Sequence, residues 1–185
     1  MLKTDVRLVV LIHKLELKST TNTGRLAVRS FRDAEIRVRG KLDEPMSGEG
    51  IVGPGHQGLF LYPSDDAIEL SHEYVRSLQR PITLIVPDGT WRQASKVARR
   101  EPALAGVPRV KLPPGKPSEY FLRVAPSQQS LSTIEAIART MGFLENAEAQ
   151  VQLEKIFQLV VKRTLYSRGA LKLSECREFL PEDPT

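Results

Sequence analysis

The sequence of 185 residues contains a single cysteine, Cys176, and only three histidines. One cysteine cannot form an internal disulfide, and metal sites built on several cysteines are excluded as well. His13, His56 and His72 lie far apart and show none of the short spacings typical of metal-binding histidines. We therefore expect no bound metal, and the cysteine content favours a cytoplasmic location.

Long hydrophobic stretches are absent as well. The longest uninterrupted apolar run covers residues 8–12, whereas a membrane-spanning helix needs about 20 apolar residues. Asp5 and Arg7 stand just before this run, and no small-residue cleavage pattern is present, so we expect neither a signal peptide nor membrane association. The glycine-rich phosphate-binding loops and the GxSxG nucleophile motif are also missing.

The composition is that of a folded, moderately basic protein. Hydrophobic residues make up 41% and charged residues 26%, and the length favours one domain, predicted over 1–169, with a loosely held tail at 170–185. Lysine and arginine number 27 against 22 acidic residues, which gives a net charge of +5. Such an excess serves either solubility or nucleic-acid binding, and the positions of the basic residues must decide.

Strands alternate with helices along the chain. Continuous apolar or β-branched runs predict buried strands at residues 5–13, 59–62 and 81–86, the last stopped by Pro87, and alternation predicts a half-buried strand at 34–41. Helices are predicted from about residue 22, over 71–80, after residue 90, from residue 132 to a stop at Gly142, and over 153–164. This order predicts an α/β fold with a mainly parallel sheet.

Ligands of a parallel sheet bind beyond the carboxyl ends of its strands. Three loops qualify by this rule: the loops after Tyr62 and after Val86, and the loop before Ser132. Ser64 and the acids that follow it either cap a helix or bind a ligand. Ser132 and Glu135 have the spacing of a helix capping box, and whether Glu135 also faces a site stays open.

The loop after Val86 is the most informative of the three. Thr90 and Gln93 fit a capping box, which leaves Asp88 just outside a helix, near its positive end. That position stabilises a carboxylate by itself, and it also suits a catalytic acid or base. Trp91 follows, either as a core residue or as part of a site.

The helix that starts at this loop carries four basic residues along one side. Arg92, Lys96, Arg99 and Arg100 occur at i, i+4, i+7 and i+8 with no acid among them. Such a face suits phosphates better than salt bridges and favours nucleic-acid binding. The strand at 34–41 adds a second basic row, diluted by Glu35.

Four short segments together carry a resemblance to a known family. They are, in chain order, NTGRL at 22–26, LYPS at 61–64, DGTW at 88–91 and STIEA at 132–136. The sequence resembles the DTW-domain family, which takes its name from a D-x-T-W motif. The likeness runs from about residue 6 to residue 143.

The resemblance implies a SPOUT-like α/β fold with helices on both faces of a mainly parallel sheet and a C-terminal trefoil knot, an exception to the rarity of knotted chains. It also implies S-adenosylmethionine as group donor and tRNA as acceptor. The implied reaction moves the 3-amino-3-carboxypropyl group, and not the methyl group, from the sulfonium to N3 of a uridine.

The implied reaction, together with the four segments and the basic helix face, suggests roles for individual residues. Asp88 is expected to act as base or orienting group, with Glu135 as the second candidate. The donor is expected to contact Leu61, Tyr62, Pro63, Ser64, Asp88, Gly89, Thr90, Trp91, Ser132 and Thr133. The RNA is expected to contact Asn22, Thr23, Arg25, Arg92, Lys96, Arg99 and Arg100.

The sequence departs from the family in two places. Many members have a cysteine cluster before the first strand, which is missing here, and Lys14 follows His13 where the family tends to have proline. Two other functions stay open: an RNA methyltransferase of the same fold, and an RNA-binding module without catalysis. The protein is expected to be a monomer or a homodimer.

Overall fold

A parallel sheet forms the centre of the fold in the computed structural model, which describes residues 1–41, 43–120 and 130–172. The strands are, in chain order, β1 (Val6–His13), β2 (Ala34–Arg39), β3 (Gln57–Leu61), β4 (Ile68–Glu69), β5 (Ile82–Asp88) and β6 (Arg109–Lys111). Their order across the sheet is β2-β1-β5-β3-β6-β4, and all neighbouring pairs run parallel. The predicted mainly parallel α/β sheet is confirmed.

Helices cover both faces of this sheet. They are, in chain order, α1 (Thr23–Ser30), α2 (His72–Ser77), α3 (Trp91–Arg100), α4 (Thr133–Leu144) and α5 (Ala147–Ser167). The larger core lies between one face of the sheet and α1, α2, α4 and α5. The smaller core lies between the opposite face and α3.

The central strands are buried on both sides. Along β1, Leu8 and Val10 point into the larger core, while Val9 and Leu11 point into the smaller one. Because successive side chains of a strand alternate between the two faces, a strand covered on both faces is apolar at every position. This is the physical reason that the continuous apolar runs predicted β1, β3 and β5.

Two predicted element ends were wrong. β5 continues through Pro87, which pairs in register with Leu11, and ends at Asp88. The fixed φ of proline is tolerated in an extended strand end, and only one donor is lost. Gly142 does not stop α4, which continues beyond it. A Cβ at Gly142 would lie 2.1 Å from Oε1 of Gln150 on α5, so this glycine marks a close contact between two helices.

Part of the predicted architecture lies outside the described residues. Residues 121–129, on the path from β6 to α4, and most of the predicted tail at 170–185 are not described. The trefoil knot, the SPOUT-like classification and the loosely held tail therefore stay predictions. Within the described ranges, no helix is both long and apolar enough to cross a membrane.

Candidate active site

Asp88 lies at the carboxyl end of β5, between β1 and β3. Only 6% of the residue is exposed. Its carboxylate oxygens accept hydrogen bonds from two other segments: Nδ2 of Asn22 donates to Oδ2, and Oγ1 of Thr133 donates to Oδ1, each at 2.5 Å. Asp88 therefore joins the end of β5 to the beginnings of α1 and α4.

The amino ends of three helices converge on this carboxylate. Asn22 is the N-cap of α1, Thr90 that of α3 and Ser132 that of α4. Asn22 donates to Asp88 directly. Thr90 follows Asp88 by two residues, and Ser132 directly precedes Thr133, the other donor to Asp88. The partial positive charge of a helix amino end stabilises a nearby carboxylate. These ends offset part of the cost of burying a charge at this position.

Gly24 leaves the space that Asp88 occupies. It is the second residue of α1, and a Cβ built on it would lie 2.8 Å from Cγ of Asp88 and 3.0 and 3.1 Å from the two carboxylate oxygens. The NTG part of the NTGRL segment therefore has a structural explanation. Asn22 caps α1 and donates to Asp88, and Gly24 makes room for the carboxylate.

The segment after Asp88 is held by the predicted capping box. Oγ1 of Thr90 accepts from the N–H of Gln93 at 3.3 Å, and the N–H of Thr90 donates to Oε1 of Gln93 at 2.7 Å. A Cβ at Gly89, where φ is +153°, would lie 2.6 Å from that same Oε1. The chain then turns into α3 with Trp91 as its first residue. Trp91 is 44% exposed and belongs to neither core.

Two cavities meet beside Asp88. The Asp88 cavity has a volume of about 410 Å³ and is lined by Asp88 and several hydroxyl side chains. The sheet-edge cavity has a volume of about 530 Å³ and is bounded by the ends of β3, β5 and β6. Both cavities are lined by Gly89, Trp91, Leu131 and Thr133. Trp91 and Thr133 thus stand where a molecule in one cavity would reach a molecule in the other.

Most of the residues predicted to contact the donor line one cavity or both. The sheet-edge cavity is lined by Leu61, Pro63, Gly89, Trp91 and Thr133. The Asp88 cavity is lined by Asp88, Gly89, Thr90, Trp91, Ser132 and Thr133. Tyr62 and Ser64 line neither cavity, and the ring of Tyr62 stacks on Phe60 at 5.9 Å.

The residues predicted to contact RNA fall into two groups. Asn22, Thr23 and Arg92 line the Asp88 cavity, and Arg25 lines an adjoining groove. Lys96, Arg99 and Arg100 lie outside these cavities, on the exposed side of α3.

The basic residues of α3 and those of β2 differ in whether they form ion pairs. Among the described residues, no ion pair involves the four basic side chains of α3. The β2 row is paired: Arg37 contacts Glu35 and Arg39 contacts Glu101, each at 2.6 Å. Of these two rows, the α3 row is therefore the one whose charges are not neutralised by carboxylates.

Glu135 is buried and saturated with hydrogen bonds. Its Oε2 accepts from the N–H and Oγ of Ser132 and from Oγ of Ser118, at 2.7–2.8 Å. Its Oε1 accepts from the N–H of Glu119 at 2.7 Å. The side chain ties the start of α4 to residues 118–119, so the geometry gives it a positioning role, while its assignment as second catalytic candidate stays a prediction.

The structure adds lining residues that the sequence reasoning did not single out. Lys111, Leu112 and Arg139 line the sheet-edge cavity, and Tyr120 lines the Asp88 cavity. The strand-end rule applies to β6 too, but a strand of three residues is too short for its pattern to be identified. Within the described ranges, no group of three or more His, Cys, Asp or Glu side chains is placed to hold a metal ion.

The sequence model of the DTW domain matches residues 1–165 of this chain. The chain belongs to the DTW domain family. The resemblance based on four short segments is confirmed, and the match extends it to residue 1 at one end and into α5 at the other.

Individual relatives of this DTW domain are similar over most of the chain. It is 40% identical over 125 residues to tRNA-uridine aminocarboxypropyltransferase 2 of Drosophila melanogaster, covering 67% of this chain and 48% of that protein. The protein of the same name from Macaca fascicularis is 30% identical over 118 residues, covering 63% of this chain and 40% of that protein. The chain thus spans less than half the length of these two relatives.

A solved structure has the same fold. The SAM-dependent rRNA:acp-transferase Tsr3 from Vulcanisaeta distributa superimposes with a TM-score of 0.52 at 19% sequence identity, over 96% of this chain and 90% of that one. At this identity the likeness concerns the fold.

The contact between Gly24 and Asp88 predicts that replacing this helical glycine by alanine destabilises the protein, which is the opposite of the usual effect. Replacing a helical glycine by alanine ordinarily stabilises a helix by up to about 1 kcal/mol. We expect Gly24→Ala to lower the free energy of unfolding instead, because the new methyl group collides with the carboxylate. Denaturant unfolding measures this change.

The matched control for this prediction is the same substitution in an Asp88→Ala background. There the obstructing carboxylate is gone, so Gly24→Ala should be neutral or stabilising. An equal destabilisation in both backgrounds would contradict the proposed contact.

Because every donor around Glu135 faces a carboxylate oxygen, we expect the isosteric change Glu135→Gln to lower the stability of the fold. Glu135→Gln replaces one acceptor oxygen by an NH₂ group that faces donors from Ser132, Ser118 or Glu119. We expect the free energy of unfolding to fall by about 1–3 kcal/mol. Glu49→Gln, in an exposed loop, should stay within about 0.5 kcal/mol, and equal effects of the two changes would refute the positioning role.

Proposed function

We propose that this chain transfers the 3-amino-3-carboxypropyl group from S-adenosylmethionine to N3 of a uridine in tRNA. The observation that carries the proposal is the buried carboxylate of Asp88 beside two cavities that meet, one suited to the donor and one to the acceptor base. Relatives in the family are named tRNA-uridine aminocarboxypropyltransferases, and a protein of the same fold is named a SAM-dependent rRNA:acp-transferase.

The sheet-edge cavity fits the donor in size and in lining. Its volume of about 530 Å³ lies within the range of roughly 300–1,000 Å³ of small-molecule sites. Leu61, Val86 and Leu112 give it an apolar wall for the adenine ring. S-adenosylmethionine bound there supplies an electrophilic carbon next to a sulfonium, and the negative charge of Asp88 favours that cation.

The Asp88 cavity suits an unstacked uridine. Single-stranded bases are recognised by aromatic stacking and by hydrogen bonds to their edges. Trp91 offers an exposed ring. The hydroxyls of Tyr120 and Ser132 donate to Thr21 and Glu135, and their oxygens keep lone pairs that can accept a hydrogen bond from the base. Asp88 is the carboxylate in this lining, so the base edge that carries an N–H would face it.

The reaction requires a proton acceptor at uridine N3. In this assignment Asp88 accepts the N3 proton as N3 bonds to the carbon next to sulfur. The carbon–sulfur bond breaks, and its electron pair stays on sulfur, which leaves as a neutral thioether. A positioned general base contributes about 10²–10⁴-fold to the rate. Asn22 and Thr133 are positioning residues, since their hydrogen bonds orient the carboxylate.

The exposed basic side of α3 supports an RNA acceptor. Its four basic residues begin at Arg92 in the wall of the Asp88 cavity and continue along the helix away from it. In this proposal they bind phosphates next to the target uridine. Neutralised phosphates supply much of the affinity for RNA and make it dependent on salt.

Isotope labelling tests the reaction directly. Unmodified tRNA is incubated with the protein and with S-adenosylmethionine labelled in its carboxyl carbon or in its methyl group. We expect carboxyl label in the RNA. Methyl label would instead indicate a methyltransferase of the same fold, and label from neither donor despite RNA binding would indicate a binding module without catalysis.

The role of Asp88 is tested by Asp88→Asn, which keeps the shape of the side chain and removes its charge. We expect the rate of transfer to fall by about 10²–10⁴-fold while tRNA binding is retained. Asp43→Asn, at an exposed position, should leave the rate unchanged. Full activity of Asp88→Asn would refute the assignment.

The role of α3 is tested with the double variant Arg99→Ala, Arg100→Ala. We expect weaker tRNA binding and a slope of log affinity against log salt that is smaller by about 1.4–1.8, because two phosphate contacts are lost. The matched control removes two exposed arginines elsewhere, Arg32→Ala and Arg76→Ala. A control with the same loss of slope would show that net charge alone is responsible.

A further inference from the structure

A third cavity adjoins the Asp88 cavity, and the proposed reaction does not use it. This α1–α5 groove has a volume of about 360 Å³ and lies between the start of α1, the preceding loop and α5. It shares Thr21, Asn22, Thr23 and Tyr120 with the Asp88 cavity. A molecule that extends beyond the Asp88 cavity on this side therefore enters the groove.

The lining of the groove combines an apolar floor with hydroxyls and positive charge. Leu26, Phe157, Val160 and Val161 form the apolar part, and residues 19–21 add hydroxyl groups. Arg25 and Arg29 supply positive charge, and no carboxylate is among the described lining residues. These groups match the needs of a nucleotide: an apolar surface against which the base packs, hydrogen-bonding groups for its edge and a cation for its phosphate.

The wall between the two cavities is held by Tyr120. Its hydroxyl donates to the carbonyl oxygen of Thr21 at 2.6 Å, and its ring packs against Phe157 with a centroid distance of 5.8 Å. Arg25 is also held, since its Nη1 donates to the carbonyl oxygen of Leu17 at 2.9 Å. Arg29 is exposed, and no ion pair of the described residues includes it.

We infer that the α1–α5 groove binds the base of the nucleotide directly next to the target uridine, with Arg29 contacting the phosphate. The inference rests on the proposed function, which puts the target base in the Asp88 cavity. Neighbouring nucleotides are one phosphodiester apart, so the next base reaches an adjoining cavity. Enzymes that act on an unstacked base set their sequence context through contacts with its neighbours. The groove would therefore determine which uridine is modified.

The charge of the groove suits RNA better than it suits the donor. S-adenosylmethionine carries a net positive charge, and the groove offers it two arginines and no carboxylate, whereas the sheet-edge cavity has Glu69 beside its basic residues. An RNA strand carries a negative charge at every nucleotide, which the same arginines attract.

The test is equilibrium binding of fluorescein-labelled RNA hairpins with one uridine in the loop. Two further hairpins are abasic on the 5′ or the 3′ side of that uridine. Val160→Trp fills the groove from the half-buried face of α5. We expect it to weaken binding of the intact hairpin by about tenfold, the loss of one stacked base. One of the abasic hairpins should bind wild type and Val160→Trp equally.

Arg29→Ala provides a second variant at an exposed position, where folding is not at risk. We expect the slope of log affinity against log salt to be smaller by about 0.7–0.9 than in wild type. Arg76→Ala on α2, which lines none of the three cavities, is the matched control and should leave the slope unchanged. Circular dichroism and the unfolding temperature check that Val160→Trp is folded. If this variant is not folded, the salt dependence of Arg29→Ala decides whether RNA occupies the groove.

Binding is measured without turnover, so failure of this inference is distinct from failure of the proposed reaction. If Val160→Trp weakens all hairpins equally or none, and Arg29→Ala behaves like Arg76→Ala, the groove does not bind a base and the inference is overturned, while the reaction stands. Coupling between the groove and one abasic position supports the inference even if no group is transferred. Absence of binding to any hairpin overturns the inference, and the labelling experiment with tRNA decides the reaction separately.

Discussion

The buried charge of one carboxylate is the constraint on which the site depends. Removing a carboxylate from water is costly unless donors replace the lost hydration. For Asp88 these donors are Asn22 and Thr133, at the start of two helices that are distant in sequence. The need to satisfy Asp88 therefore holds α1 and α4 at the carboxyl edge of the sheet. Glu135 repeats the arrangement within α4, where donors from Ser118 and Glu119 hold the adjoining chain.

How far the fold and the site could be predicted depends on whether the responsible contacts are local. The apolar run of β1 and the capping box at Thr90 reflect neighbours in the chain, so the sequence pattern was sufficient. Gly24 and Gly142 are different, because each leaves space for a side chain from another part of the sequence, Asp88 and Gln150 respectively. A glycine shows no periodicity, and a pattern cannot reveal what approaches it. The exposure of Trp91 was equally undecidable, since it depends on two cavities that exist only after folding.

Ion pairing distinguishes the two arginine-rich elements of this protein. Both β2 and α3 are rich in arginine, but Arg37 and Arg39 are matched by nearby carboxylates. The positive field at the carboxyl edge is also felt at His13. Burial lowers the pKa of His13, and the charges of Lys14 and Arg39 lower it further. His13 therefore stays neutral to lower pH than an ordinary histidine, and the positive character of this edge comes from its lysines and arginines.

The hydrogen bonds of Asp88 join residues that are 66 and 45 positions apart. Contacts of such separation require the closure of long loops and form after local structure. A chain emerging from the ribosome exposes β1, α1 and β5 before α4. The carboxylate of Asp88 then lacks its donor from Thr133, and both cavities lack the wall that α4 provides. The site is thus completed only when α4, which comes late in the chain, packs onto the sheet.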